Sequence, residues 1–369
     1  MVSTWLVKCG IFTYSNWLSE ALQNLGIDVT ILAEQPFPNN SAIDETFQTK
    51  IPATVCWSRQ DNFEKLIEES RKYDLIHISH QYGLFPNENN FLNLLKNISP
   101  AVITLHDVIP YDVRMERYFK GIIEFCKNII VHLPICYNLL ESWNCPKEKI
   151  HLIPHGTKIV EVSSKEESRK KLNEIWKKTI FEGKEKVILS WGFIWESKGI
   201  KDLIEIFSEV LKTYPDSIFI HAGGVHPIIA GSDYLKSLIK KAMQLNLTPK
   251  NFMVTGFVPE EIVPLYFGAC DVIVLNYARG SASASGAAHR TLSAHRPIVG
   301  TDDPCISDIP KLESSRFDKN SLYQNILKVL ETPALERSLA EEAFEKAQQT
   351  SWENVAKQHI KIYEEMIKK

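Results

Sequence analysis

Residues 271–300 read DVIVLNYARGSASASGAAHRTLSAHRPIVG. The segment opens on an apolar strand, Asp271–Asn276, and passes through a run of serine, alanine and glycine. It continues as a short helix near Gly286–His295 and returns to an apolar strand at Pro297–Gly300. Both apolar runs are short and β-branched, as strands buried on two faces are. A strand, a helical connection and a second strand make the βαβ unit of a parallel sheet. Between them, Tyr277–Arg290 is rich in small residues, whose backbone N–H groups can converge on an anion such as a diphosphate. No Gly-Lys-Ser/Thr follows and no G-x-G-x-x-G is present, so neither common phosphate pattern applies. The competing reading is a flexible Ser/Ala linker, and the position between a buried strand and a helix speaks against it.

The alternation extends in both directions. In the second half, strands are expected at Lys186–Trp191, Ser217–Ala222 and Asn251–Thr255. Helices are expected at Lys198–Tyr214, Ser232–Leu245, Glu260–Ala269, Leu322–Leu330, Ala334–Gln348 and Trp352–Lys368. In the first half, strands are read at Ile27–Ala33, Asp74–Ser79, Ala101–Leu105 and Asn128–His132, and the run Ile150–Pro154 closes the half. Helices are read at Ser15–Leu25, with Gly26 as a stop, and at Asp61–Lys72 and Asn89–Asn97. Two successive α/β halves imply two doubly wound parallel sheets with a cleft between them, and ligands at the carboxyl ends of the strands.

The 369 residues suit about two domains. Apolar residues make up 44% and charged residues 24%, which excludes a disordered or low-complexity chain. A net charge of −3 provides no field that would draw the chain onto nucleic acid. Apolar runs such as Val272–Leu275 are far short of a bilayer span of about 20 residues, and the N-terminal stretch lacks the pattern of a signal peptide. The seven cysteines contain no C-x-x-C pair; they are expected as small core side chains, consistent with a reducing cytoplasm. The charged stretch Ser163–Lys186 has helical spacing at Leu172, Ile175 and Ile180. It reads as a solvated amphipathic helix at a domain junction, with peripheral contact to an anionic membrane through its lysines as the alternative.

Four further loops could carry chemistry. Gly10, in the first strand-to-helix turn, permits a tight turn and close approach of a ligand. Ser79–Phe85 carries His80, Gln81 and Tyr82. His106 and Asp107 follow the strand Ala101–Leu105, where a His-Asp pair suits hydroxyl recognition or proton handling; a histidine capping its own loop is the plainer reading. His80 and His106 lack an evident third ligand, so no metal site is expected. Ser190–Gly199 lies between a strand and a helix, with Lys198 at the helix start, able to reach an anion.

In their order along the chain, these segments resemble the GT-B-fold retaining glycosyltransferases of family 4. The matching stretches are KCGIFTYSNWLSEALQNLGIDVTIL, HQYGLF, TLHDV, LIPHG, GFIWESKGIKDLIEIF, HAGGVHP, VTGFVPEEIVPLYFGACDVIVLNY, SASASGAAHRTLSAHRPIVGTD and SWENVAKQHIKIYEEM. The resemblance implies an α/β chain with two Rossmann-like domains: an acceptor domain over 1–157, a donor domain over 158–348 and a C-terminal helix, 349–369, that crosses back to the first domain. It implies transfer of a hexose-like sugar from a nucleotide diphosphate sugar to a glycan, lipid-linked or small-molecule acceptor, with retention, as a cytoplasmic hexosyltransferase. No cofactor beyond the donor and no metal is implied.

Residue by residue, the resemblance puts Gly10 near the sugar and donor phosphates and His106 against the transferred sugar. Gly192 and Lys198 match the glycine and lysine of the diphosphate loop. Phe257 and Val258 lie where the base is gripped, and Ser283, Ala284, Ser285 and Gly286 match the loop that holds diphosphate and sugar. Two departures stand out. Phe193 and Ile194 replace an arginine, and Ala282 and Arg290 replace two glutamates eight residues apart, the second of which accepts from ribose hydroxyls. Arginine has no acceptor, so Arg290 is expected instead as a cation toward the diphosphate, with a surface ion pair as the rival. These losses also admit a catalytically inactive sugar- or nucleotide-binding partner subunit; another GT-B chemistry, such as a phosphorylase or epimerase, is the third option.

Overall fold

A computed structural model describes residues 1–35, 49–98, 100–108, 113–183, 185–226, 232–278 and 284–368. The chain divides into two compact units. The first takes in Met1–Gly156, the described part of Ser281–Gly286, and the C-terminal stretch from Thr350. The second takes in Thr157–Gly280 and Ala287–Gln349.

The first unit runs β1 (Val2–Ser3), α1 (Gly10–Asn24), β2 (Ile31–Glu34), β3 (Ala53–Trp57), α2 (Glu64–Ser70), β4 (Ile76–His80), α3 (Glu88–Asn97), β5 (Ala101–Leu105), α4 (Val113–Phe125), β6 (Asn128–Val131), α5 (Pro134–Ser142) and β7 (Ile150–Leu152). Its strands form one parallel sheet in the order β3-β2-β1-β4-β5-β6-β7. Neighbouring strand residues face opposite layers. Ile103 and Ile129 enter one core with Phe85, Phe91 and Phe119, whereas Val102 and Ile130 enter the other with Phe12, Leu18 and Trp352.

The second unit continues with α6 (Lys165–Trp176), β8 (Val187–Trp191), α7 (Ile200–Thr213), β9 (Ile218–Ala222), α8 (Ser232–Gln244), β10 (Phe252–Val254), α9 (Val263–Ala269), β11 (Val272–Leu275), α10 (Gly286–Thr291), β12 (Ile298–Thr301), β13 (Leu312–Ser314), α11 (Lys319–Glu331) and α12 (Pro333–Gln349). Its parallel sheet has the order β10-β9-β8-β11-β12-β13. The order reverses at β1/β4 in the first sheet and at β8/β11 in the second, the positions where open α/β sheets bind ligands. The last helix, α13 (Trp352–Ile367), belongs to the first unit and packs on α1. Ser351 caps it by accepting from the amide of Asn354 at 3.4 Å.

The expected α/β layering is present, with differences at element ends. α1 begins at Gly10 rather than Ser15, and Gly26, at φ +86°, ends it. The helix expected from Lys198 begins at Ile200, because Gly199 adopts a left-handed conformation (φ +55°) and leaves Lys198 in a preceding 3-10 turn. α6 stops before Ile180, since Lys177 turns left-handed. Its buried Arg169 pairs with Asp271 at 2.8 Å. Its exposed face mixes Glu166, Glu167 and Glu174 with Lys170 and Lys171, so it is not a uniformly basic surface. All seven cysteines are free, six of them buried.

Candidate active site

In the second unit the loop after β8 is shaped by close backbone approaches. Gly192 has φ +110°, and a Cβ there would strike both the Lys198 ammonium and the side chain of Ala287 on α10. A Cβ on Gly223 would strike the Gly192 carbonyl. Asn276, after β11, donates from Nδ2 to the Gly199 carbonyl at 2.9 Å, and the Ala278 amide donates to the Ser197 carbonyl at 2.9 Å. These bonds fold the 192–199 loop back over the end of β11. Lys198 Nζ then lies 3.4 Å from the Trp191 carbonyl and 5.5 Å from the Tyr277 ring centroid. Loss of hydration pushes its ammonium down to about 8, against a smaller opposing effect of Cys305. Thus the structure brings Gly192 and Lys198 together with the start of α10, at the switch point of this sheet.

A histidine the sequence did not single out lies beneath this loop. His221, on β9, is fully buried, with Nδ1 3.2 Å from the Ser190 hydroxyl. Burial first and the Lys198 charge second push its imidazole down to about 3, so it is neutral at physiological pH.

On α10, His289 lies 2.9 Å from an Asp308 carboxylate oxygen and 3.4 Å from the Thr157 hydroxyl. Arg290 is buried and donates from Nη2 to Glu260 Oε1, and Lys158 Nζ lies 2.9 Å from the same oxygen. The cation expected toward the diphosphate is therefore paired, and the pair is buried on the arginine side rather than lying on the surface. Phe257 is 43% exposed in the loop after β10, whereas Val258 is packed into the core.

In the first unit, His106 follows β5 and donates its amide to the His80 carbonyl at 2.9 Å. Its ring is buried edge-on to Tyr14, with centroids 4.4 Å apart, and 5.2 Å from the ring of His132. Burial, then the neighbouring histidines, holds it well below the ordinary imidazole range. Its buried Nε2 has no hydrogen-bond partner among the described residues. His80 is a core residue rather than a ligand-facing one: it stacks on Phe85, and its Nε2 lies 2.8 Å from the Tyr118 hydroxyl. Gly10 is exposed at the start of α1, and a Cβ on it would meet nothing. The left-handed residue of this turn is Leu6, at φ +53°, and not Gly10. Ser283 lies outside the described residues. Ala284 packs against the first unit's core, and a Cβ on Gly286 would come 3.0 Å from His155 Nε2. Ser285 is half-buried between them. Among the described residues no three His, Cys, Asp or Glu side chains are grouped as metal ligands.

The model of Glycosyltransferase Family 4 matches residues 10–160, and that of Glycosyl transferases group 1 matches residues 171–346. The chain is 23% identical to the processive diacylglycerol alpha-glucosyltransferase of Acholeplasma laidlawii, over 80% of this chain and 86% of that protein. It is also 23% identical to the alpha-monoglucosyldiacylglycerol synthase of the same organism, over 98% and 94%. Among solved structures, sucrose-phosphate synthase from Thermosynechococcus elongatus superposes with a TM-score of 0.75 at 21% identity, covering 96% of this chain and 92% of that one. Anabaena HepE in complex with UDP-glucose superposes with a TM-score of 0.77 at 15% identity, covering 99% and 100%. With its first half matched by one glycosyltransferase model and its second by another, on two doubly wound parallel sheets, this chain is a GT-B glycosyltransferase.

Proposed function

We propose that the protein transfers a hexose-like sugar from a nucleotide diphosphate sugar to an acceptor hydroxyl, with retention at the anomeric carbon. The observation that carries the donor half of this reading is Lys198. A half-buried ammonium beside Gly192, at the sheet's switch point, suits an anionic diphosphate. In the proposed reaction the bond from the anomeric carbon to the diphosphate oxygen breaks as the acceptor oxygen attacks the same face. The acceptor proton passes to the departing diphosphate oxygen. Lys198 meets the charge that develops there. The neutral His106, whose Nε2 has no hydrogen-bond partner among the described residues, contacts the transferred sugar.

The second unit takes the nucleotide sugar and the first the acceptor. The names of the Acholeplasma relatives support a glucose-type sugar and a lipid-linked acceptor, and the UDP-glucose of HepE supports a uridine nucleotide. A lipid acceptor would place the enzyme peripherally on the inner face of the cytoplasmic membrane. No helix among the described residues is long and apolar enough to cross one.

The test is incubation with UDP-, GDP- and ADP-hexoses and diacylglycerol or glycolipid acceptors, with the anomeric configuration of the product read by NMR. An inverted product removes retention. The replacement of an acceptor side chain by Arg290 favours a second reading, an inactive nucleotide-binding partner subunit. Nucleotide-sugar binding without hydrolysis or transfer would select it.

A further inference from the structure

Arg290 cannot accept a hydrogen bond, yet the structure sets a carboxylate against it. We infer that Glu260, with Phe257 beside it in the same loop, forms the nucleoside subsite of the second unit: the Glu260 carboxylate accepts from the vicinal hydroxyls of a ribose while Phe257 offers its ring to the base. This rests on the reading of the protein as a nucleotide-sugar enzyme and names residues within that site.

The loop lies at the carboxyl end of β10, on the edge where doubly wound sheets take ligands, and an acidic side chain recognising the ribose hydroxyls is a recurrent solution in such sheets. The loop is fixed from below. The Gly223 amide donates to the Thr255 hydroxyl at 3.1 Å, and a Cβ on Gly224 would come 2.9 Å from the Phe257 nitrogen. Both cations converge on one oxygen of Glu260, Lys158 at 2.9 Å and Arg290 beside it. Both contacts are to Oε1, and an ionised carboxylate can accept about four hydrogen bonds over its two oxygens.

The burial is asymmetric. The Arg290 side chain is 5% exposed and that of Glu260 is 37% exposed, so the solvent-facing end of the pair is the acceptor. Partial burial works to raise the Glu260 carboxyl, but Arg290 and Lys158 outweigh it and hold the group ionised. Two cations on one carboxylate leave one positive charge over, which suits a ligand that also carries phosphates. Phe257, 43% exposed and three residues before Glu260 in the chain, offers a ring that can stack on any base, since every base has a π-face. In this arrangement Arg290 and Lys158 are positioning residues: they aim Glu260 and do not themselves touch the nucleoside.

The test is calorimetric titration of the full chain. UDP, GDP and ADP are screened first, and the best binder is compared with its 2′,3′-dideoxy form, on the parent and on Glu260→Gln. The parent should lose roughly ten- to a hundredfold in affinity with the dideoxy ligand, the scale of hydrogen bonds to a charged group. Glu260→Gln should lose a similar factor for the ribonucleotide and discriminate little between the two ligands. A purely structural ion pair would instead lower the affinity of the variant for both ligands equally, which overturns the inference. So does an undiminished ribonucleotide affinity in Glu260→Gln. A parent that binds none of the three nucleotides overturns the donor reading itself, and the inference with it. The parent's own preference for the ribo form needs no variant, so a poorly folding Glu260→Gln still leaves the inference open to refutation: equal parental affinity for both ligands sinks it.

Discussion

Nδ1 of His77 on β4 lies 2.6 Å from the hydroxyl of Tyr363 on α13, and Nε2 of the same ring lies 2.7 Å from the Thr104 hydroxyl on β5. One neutral imidazole thereby ties the last helix to the middle of the first sheet. Tyr14 on α1 adds a second tie, its hydroxyl 3.4 Å from Nε2 of His359. Burial holds His77 well below its ordinary range and pushes His359 down to about 4.

Acid should therefore loosen the first unit. A base with a depressed folded-state pKa binds more protons unfolded than folded once the pH falls below the unfolded value of about 6.5. Stability is then complete above about pH 6.5 and falls as pH drops toward 4, by up to about 1.4 kcal/mol per pH unit for each such histidine. His80, pushed down to about 3, extends the loss further into acid. Thermal melts between about pH 7 and 4 should show this slope, and His359→Gln should flatten it. A flat profile in the parent would contradict it.

Gly156 seats the same helix. A Cβ at this position would clash with the ring atoms of Trp352, and overpacking typically costs about 1–3 kcal/mol. Gly156→Ala should lower the denaturation midpoint accordingly, and the double variant with Trp352→Leu should recover part of the loss. Removal of the chain after Thr350 should be more severe, since it uncovers Tyr14, Trp17 and His77. An unchanged midpoint in the alanine variant would show that the ring moves aside at no cost.

Lys198 gives donor affinity a pH dependence of opposite sense to acid unfolding. Its ammonium, pushed down to about 8, is charged below that pH and neutral above it. Affinity for a nucleoside diphosphate should thus decline by up to about tenfold as pH rises from about 7 to 9. Lys198→Arg, whose guanidinium stays protonated, should flatten the dependence. Calorimetry across the range decides; a parental affinity that does not change with pH would separate Lys198 from the diphosphate.

His106→Ala should reduce kcat more than it weakens nucleotide affinity, because the predicted contact is to the sugar. Turnover and UDP titration measured on the same preparation test this. Equal losses in both would move His106 out of the sugar subsite.

Asp271→Asn is the structural counterpart. Asp271 holds Arg169 at 2.8 Å and Lys165 at 2.6 Å, and accepts from the Val187 amide at 2.7 Å. Leaving the buried Arg169 without its anion should cost about 3–5 kcal/mol of stability. Nucleotide affinity at low temperature should be unchanged, since none of these groups lies in the loops after β8, β10 or β11.

The sequence by itself determined the two parallel sheets and the loops that follow their strands. Short β-branched runs such as Val272–Leu275 and Val187–Trp191 can be buried on both faces only as interior strands, and glycines such as Gly26, Gly192 and Gly199 mark where the backbone must turn left-handed. β3 was not legible because its residues Ala53–Val55 are not buried and show no buried alternation. α4 carries a helical signal that the expectations did not use, since Met115, Tyr118, Phe119, Ile122 and Ile123 recur at helical spacing between charged residues. Only the tertiary structure decided which side chains meet. Arg290 finds Glu260 thirty residues away, His77 finds Tyr363 across 286 residues, and Lys198 folds inward onto Gly192 instead of opening a helix. Periodicity records which face of an element is buried, a property of neighbouring residues. Pairing of charges and rings depends on the paths of loops that bring distant segments together, and no local pattern encodes those paths.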